Sequence, residues 1–262
     1  MTALVLTITS GKGGVGKTTA TANLALALAD LGKKVVCIDS DIGLRNLDVV
    51  MGLENRIVYD LVDVVEGRCK LKQAMIHDKR MQELYLIPAA QTRDKNAISP
   101  QEMVKLCKEL RPEFDWILID SPAGIERGFQ NAIAPADQVI VITNPDVSAV
   151  RDADRIIGLI DSQQKGPAKL VINRVNPSMV KRGEMLDVDD ILDLLAIKLI
   201  GIVPEDEHVV ISTNRGQPVV LESKSKAGQA FRNIAHRLNG EEVPFLSLDE
   251  KEDIFKRLFG RK

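Results

Sequence analysis

Leu4-Val5-Leu6-Thr7-Ile8-Thr9-Ser10-Gly11-Lys12-Gly13-Gly14-Val15-Gly16-Lys17-Thr18-Thr19 is an apolar run that breaks into glycines and then into a helical pattern. Leu4–Thr9 reads as a buried strand, and Gly11-x4-Gly16-Lys17-Thr18 has the spacing of a P-loop in the strand-to-helix setting that the mechanism needs. Gly11, Gly13, Gly14 and Gly16, with Val15 between them, let consecutive backbone N–H groups turn inward around a phosphate. A helix expected over 18–31 and closed by Gly32 points its positive end at the same place. Lys17 offers a point charge to the β- and γ-phosphates, Thr18 a ligand for Mg²⁺, and Thr19 continues the cradle.

Outward from this segment, Val/Ile/Leu-rich runs recur at Val35–Asp39, Leu84–Ile87, Trp116–Asp120, 139–143, 170–173 and 199–203. Helical patterns lie between them at 101–110, 149–160 and Lys226–Leu238. Continuous apolar strands alternating with helices predict an α/β fold, a mostly parallel, doubly wound sheet flanked by helices, with ligands at the carboxyl ends of the strands. The ATPase domain is expected over 1–240, a connector over 241–250 and a separate helix over 251–262.

The 262 residues are 45% hydrophobic and 27% charged with a net charge of −2, a globular composition without an overall basic field for DNA. No DNA partner is expected. No stretch approaches the roughly 20 apolar residues of a membrane-spanning helix, and the first strand is not preceded by a basic signal region. A cytosolic body follows as an expectation. Cys37, Cys69 and Cys107 form no CxxC pair, so buried thiols are expected rather than a metal or cluster site.

Two strands end in acids. Trp116–Asp120 fits the Walker B role, in which Asp120 holds Mg²⁺. Val35–Asp39 continues into Ser40-Asp41, which brings Asp39 and Asp41 to the same site. Asp39 is a candidate metal ligand, and Asp41 is the first choice for orienting the attacking water because it lies further into the loop.

Lys12 adds a second lysine inside the loop, and KGGVGKT resembles the deviant Walker A motif of the ParA/MinD family of ATPases. The resemblance extends to Asp39-Ser40-Asp41-Ile42-Gly43-Leu44-Arg45-Asn46-Leu47-Asp48, similar to the family's switch I, and to Asp120-Ser121-Pro122-Ala123-Gly124-Ile125-Glu126, similar to its switch II. It implies ATP and Mg²⁺ as cofactors and a nucleotide-bridged homodimer in which Lys12 and Glu126 reach the partner's nucleotide. It also implies a base site from Asn173, Arg174, Pro204 and Asp206. An added cation at developing negative charge would act as an arginine finger does.

Residues 251–262 place Ile254, Phe255, Leu258 and Phe259 on one side of a helix, with Lys256 and Arg257 in a basic rim. That pattern predicts an interfacial helix on anionic membrane lipids, at the cytoplasmic face of the cell membrane. The family resemblance implies the same, and it implies recruitment of the division inhibitor MinC and release by the regulator MinE in septum placement. Arg151, Asp152 and Asp154, on the charged helix near the switches, are the candidate partner residues. The alternative is a ParA-type partition ATPase that binds DNA nonspecifically.

Overall fold

The structure is a computed structural model that describes residues 2–94 and 97–247. Among them lies an eight-stranded sheet made of β1 (Leu4–Thr9), β2 (Val35–Asp39), β3 (Ile76–His77), β4 (Leu84–Ile87), β5 (Trp116–Asp120), β6 (Gln138–Thr143), β7 (Ala168–Val175) and β8 (Lys198–Pro204), in the order β3-β4-β2-β5-β1-β6-β7-β8. All pairings are parallel except β3 with β4. β3 has no counterpart among the expected strands, because two residues carry no measurable alternation. The expected membrane residues Ile254, Phe255, Lys256, Arg257, Leu258 and Phe259 lie outside the described residues.

Successive residues of the central strands bury opposite faces. Leu6, Ile8, Cys37 and Leu118 join a core beneath the helices Lys17–Asp30 and Lys226–Leu238, whereas Val5, Val36, Ile38, Ile117 and Ile119 join one beneath the helix Pro100–Leu110. A third cluster under the helix Val147–Ser162 covers β6 and β7. The helix Lys17–Asp30 is buried almost all round, and its alanines at 20, 22, 25 and 27 let it lie close to the sheet. Truncating its buried Leu26 to Ala would cost about 2–5 kcal/mol.

That helix begins one residue before the expected 18 and ends through Gly32, whose φ of 75° is open only to a residue without Cβ at little cost. The helix expected over 149–160 spans Val147–Ser162, extended because Asp146 caps it by accepting from the Ala149 N–H at 2.9 Å. Cys37 and Cys107 are buried, but Cys69 is only half-buried, since it follows the exposed turn after the helix Leu61–Val65. From β1 the chain first builds the β2 side of the sheet and later the β6 side. The carboxyl end of β1 is therefore the switch point where a crevice opens.

Candidate nucleotide site

The P-loop leaves β1 at this switch point. Gly14 and Gly16 have φ of 76° and 103°, and a Cβ on Gly16 would lie 2.4 Å from Asn173 Nδ2. On Gly11 it would lie 2.2 Å from the Asp152 carbonyl oxygen, so the loop rests directly on the helix Val147–Ser162. Val15 is buried, and its carbonyl accepts from Asn173 Nδ2 at 2.7 Å. These contacts hold the loop against two elements distant in sequence.

Lys17 is almost wholly buried, and its Nζ donates to Ser10 Oγ at 3.0 Å and to the Lys12 carbonyl at 3.5 Å. Burial pulls its pKa below the ordinary lysine value, while the charges of Asp120 and Asp41 resist that fall. Lys12 behaves differently. Its half-exposed ammonium donates to Ser148 Oγ at 2.6 Å and stands 3.9 Å from Asp146 Oδ1 in the same chain.

Parallel register sets Asp39 of β2 beside Asp120 of β5, both buried. Asp120 accepts from Thr21 Oγ1 at 3.2 Å and also from the Thr18 hydroxyl. Asp39 accepts the backbone N–H groups of Asp41 at 3.0 Å and Leu47 at 3.1 Å. Burial raises both carboxyls above the usual range; at Asp39 the Asp120 charge adds to the rise, whereas at Asp120 the Thr18 and Thr21 hydroxyls and the Lys17 charge oppose it. Two buried carboxylates and a threonine hydroxyl converging beneath a phosphate loop form a hard oxygen donor set that fits Mg²⁺.

Asp41 is partly exposed beyond the strand, and its charge is felt at Lys17. Further along, Arg45 takes a left-handed φ of 48° and places Nε 3.0 Å from Oδ2 of Asp48, a fully buried carboxylate. In the sequence Asp48 stands out only as the end of the switch I-like segment, and Thr21 by no motif. Thr21 lies one turn past Lys17 on the same helix face, a spacing that was available as a signal.

A cavity of about 280 Å³ opens on the other side of Gly16, and Thr19, Asn173, Arg174, Pro204 and Asp206 line it together with Val209. All the expected base-site residues therefore meet in one place. The Asp206 carboxylate is already engaged within the chain. Its oxygens accept from Ser225 Oγ at 2.7 Å, the Ala227 N–H at 3.1 Å and the His208 N–H at 2.9 Å. Glu126 is exposed at the start of the helix Arg127–Ile133. Arg151 and Asp154 are exposed, while Asp152 is half-buried against the P-loop.

A buried loop lysine, acidic ends on adjacent strands and a base-sized cavity beside them describe a nucleotide site. Residues 6–219 match the model of the CobQ/CobB/MinD/ParA nucleotide binding domain. The septum site-determining protein MinD of Bacillus subtilis is 55% identical over 248 residues, covering 94% of this chain and 92% of that protein. The chain belongs to the septum site-determining MinD family. Among solved structures, a chain of a MinC:MinD cell division protein complex from Aquifex aeolicus superposes with a TM-score of 0.88 at 52% identity, covering 94% of this chain and 99% of that one. The septum site-determining protein MinD of Pyrococcus horikoshii, solved with Mg-ADP, superposes with a TM-score of 0.82 at 30% identity, covering 90% and 96%. Septum-site determination is the family's function, and the nucleotide-binding fold described above is the part of it that these residues build.

Proposed function

We propose that the chain binds and hydrolyses Mg-ATP, dimerises in the ATP state, recruits a MinC-like division inhibitor to the membrane, and is released when a MinE-like regulator stimulates hydrolysis. The observation that carries the reading is the convergence of Lys17, Thr18 and Asp39 on Asp120 at the carboxyl ends of β1, β2 and β5. The similarity to the chain of the MinC:MinD complex supports an inhibitor of that kind as partner.

The P-loop N–H groups and the positive end of the helix Lys17–Asp30 bind the phosphates. Lys17 swings from Ser10 to the β- and γ-phosphate oxygens, an exchange of one acceptor for a stronger anionic one. Thr18, Asp120 and Asp39 hold Mg²⁺, which when bound neutralises phosphate charge. Asn173, Arg174, Pro204 and Asp206 enclose the base. Asp41 orients the attacking water from the loop beyond β2. Lys12 leaves Ser148 for the nucleotide of the second subunit, where Glu126 also reaches. Each site is completed only by its partner, so turnover of the isolated chain is slow.

Arg151, Asp152 and Asp154 present the inhibitor and regulator surface. The amphipathic stripe at 254–259 docks on anionic lipid of the inner membrane face, weakly as one copy and about 10²–10⁴-fold more strongly as the two copies of a dimer. Among the described residues no helix is long and apolar enough to cross a membrane. Sedimentation with anionic liposomes in ATP and in ADP, using the full chain and one lacking 251–262, tests the whole scheme. Tail-dependent binding in ATP alone is expected. Retention on DNA with no liposome binding in either state would replace this reading with the partition ATPase.

A further inference from the structure

The hairpin between β3 and β4 carries Asp78 and Arg80, remote from the phosphate loop in sequence. Asp78 is 1% exposed and its carboxylate accepts from Arg80 Nε at 2.9 Å and Nη2 at 2.6 Å. The same guanidinium donates through Nη2 to the Met51 carbonyl and through Nη1 to the Gly216 carbonyl at 2.9 Å. Met51 caps the short helix Leu47–Val50, and Gly216 follows the helix Glu207–Asn214, whose Val209 and Val210 line the base cavity.

Both carbonyls come within reach of one side chain because two backbones cross at glycines. A Cβ on Gly52 would lie 2.5 Å from the Gly216 oxygen, and one on Gly216 would lie 2.7 Å from the Gly52 Cα. The other end of the helix Leu47–Val50 is held by the Leu47 N–H, which donates to Asp39 Oδ2 at 3.1 Å. That helix is thus a strut with a site carboxylate at one end and the Arg80 clamp at the other.

We infer that Arg80 is a positioning residue for ATP hydrolysis: by fixing the Met51 end of the helix Leu47–Val50 against Gly216 it sets the orientation of Asp39. The inference rests on the role of Asp39 given under the proposed function. Arg80 itself touches no substrate. The clamp is rigid because Asp78 takes two of the guanidinium's donors in a bidentate pair, which leaves the planar fork no free rotation. A shift of the strut by about 1 Å moves Asp39 out of the geometry that hydrolysis needs, and misplacements of that size cost up to about 10²-fold in rate.

The test uses the full chain with Arg80→Met, Arg80→Lys and Gly52→Ala. Gly52→Ala leaves the Asp78–Arg80 pair in place but pushes the Gly216 carbonyl away. Arg80→Met and Gly52→Ala are expected to lower kcat for Mg-ATP by about 10-fold, to change the dissociation constant for ADP measured without Mg²⁺ less than about 2-fold, and to speed hydrogen exchange at the Leu47 amide. Arg80→Lys should recover part of the rate. Faster exchange with kcat unchanged overturns the inference, as does a parallel loss of kcat and ADP affinity. Asp39→Asn measured alongside separates the two claims. If it keeps the parent kcat, the role of Asp39 fails; if it loses kcat while Arg80→Met and Gly52→Ala keep theirs, only the role of Arg80 fails.

Discussion

Lys12 Nζ lies 2.6 Å from Ser148 Oγ, so the second lysine of the P-loop is held by the first turn of a helix 136 positions away in its own chain. Asp146, 3.9 Å away, adds an ion pair and also caps that helix through the Ala149 N–H. Asp146→Asn keeps a capping oxygen and removes only the charge. An exposed pair of this kind contributes at most about 1 kcal/mol, so ATP-dependent dimerisation is expected to tighten by about 2–5-fold. Sedimentation velocity in ATP measures it, and an unchanged dimer constant would show that the internal pair does not compete with the intermolecular one.

Two glycines of the same region should respond in opposite directions. Gly11→Ala drives a Cβ into the Asp152 backbone at 2.2 Å, where neither side can yield without moving the P-loop. A loss of ADP affinity of about 100-fold or more is expected by calorimetry. Gly158, exposed within the helix Val147–Ser162, has nothing within 4 Å of an added Cβ. Gly158→Ala should stabilise by about 0.5–1 kcal/mol and raise Tm by about 1–4 °C, with nucleotide affinity unchanged. A lowered Tm would contradict the open surroundings of that position.

The acid limb of stability should depend on Asp206. Burial opposes its ionisation, but the Ser225 hydroxyl and the Ala227 and His208 N–H groups outweigh that and hold the carboxyl down to about 2. An unfolded aspartate titrates near 3.9, so the unfolded state binds more protons between these values. The stabilisation is therefore complete above about pH 4 and lost as pH falls toward 2. With solvent screening it amounts to about 1–2 kcal/mol. Asp206→Asn should flatten the fall of Tm between pH 4 and 2; an equally steep fall in the variant would assign the limb to other carboxyls.

Asp39 has the opposite sign. Burial first, and then the Asp120 charge, push its carboxyl up to about 8, so the folded chain binds more protons than the unfolded one from about pH 4 to 8. Stability of the nucleotide-free chain should fall as pH rises through that window. Binding of Mg-ADP at pH 7 should release protons, because a metal-holding carboxylate must be ionised. Calorimetry in buffers of different ionisation enthalpy reads that release, which Asp39→Asn should reduce. Binding heats independent of buffer would reject the assignment of Asp39 to the metal.

The loop Gly11–Thr18 was legible because its chemistry needs fixed residue types at fixed local spacing, and the two strand-end acids because an apolar run ending in a carboxylate is locally anomalous. The residues proposed for the base come only from resemblance, since nothing local distinguishes Asn173 from any other strand asparagine. Thr21 and Arg80 belong to no local motif for a related reason: Thr21 meets Asp120, 99 positions away, and Arg80 meets Gly216, 136 positions away.

Local sequence carries the strand–loop–helix unit, the alternation of strands and helices, and the residue types expected around a phosphate, because periodicity, glycine freedom and helix polarity act within a few residues. That β2 and β5 are neighbours, which sets Asp39 beside Asp120, and that Lys12 is held by Ser148 emerge with the folded chain. Interstrand hydrogen bonds are made by backbone groups common to every residue, so strand order follows from burying both faces of the whole sheet at once. No local stretch of the chain contains that information.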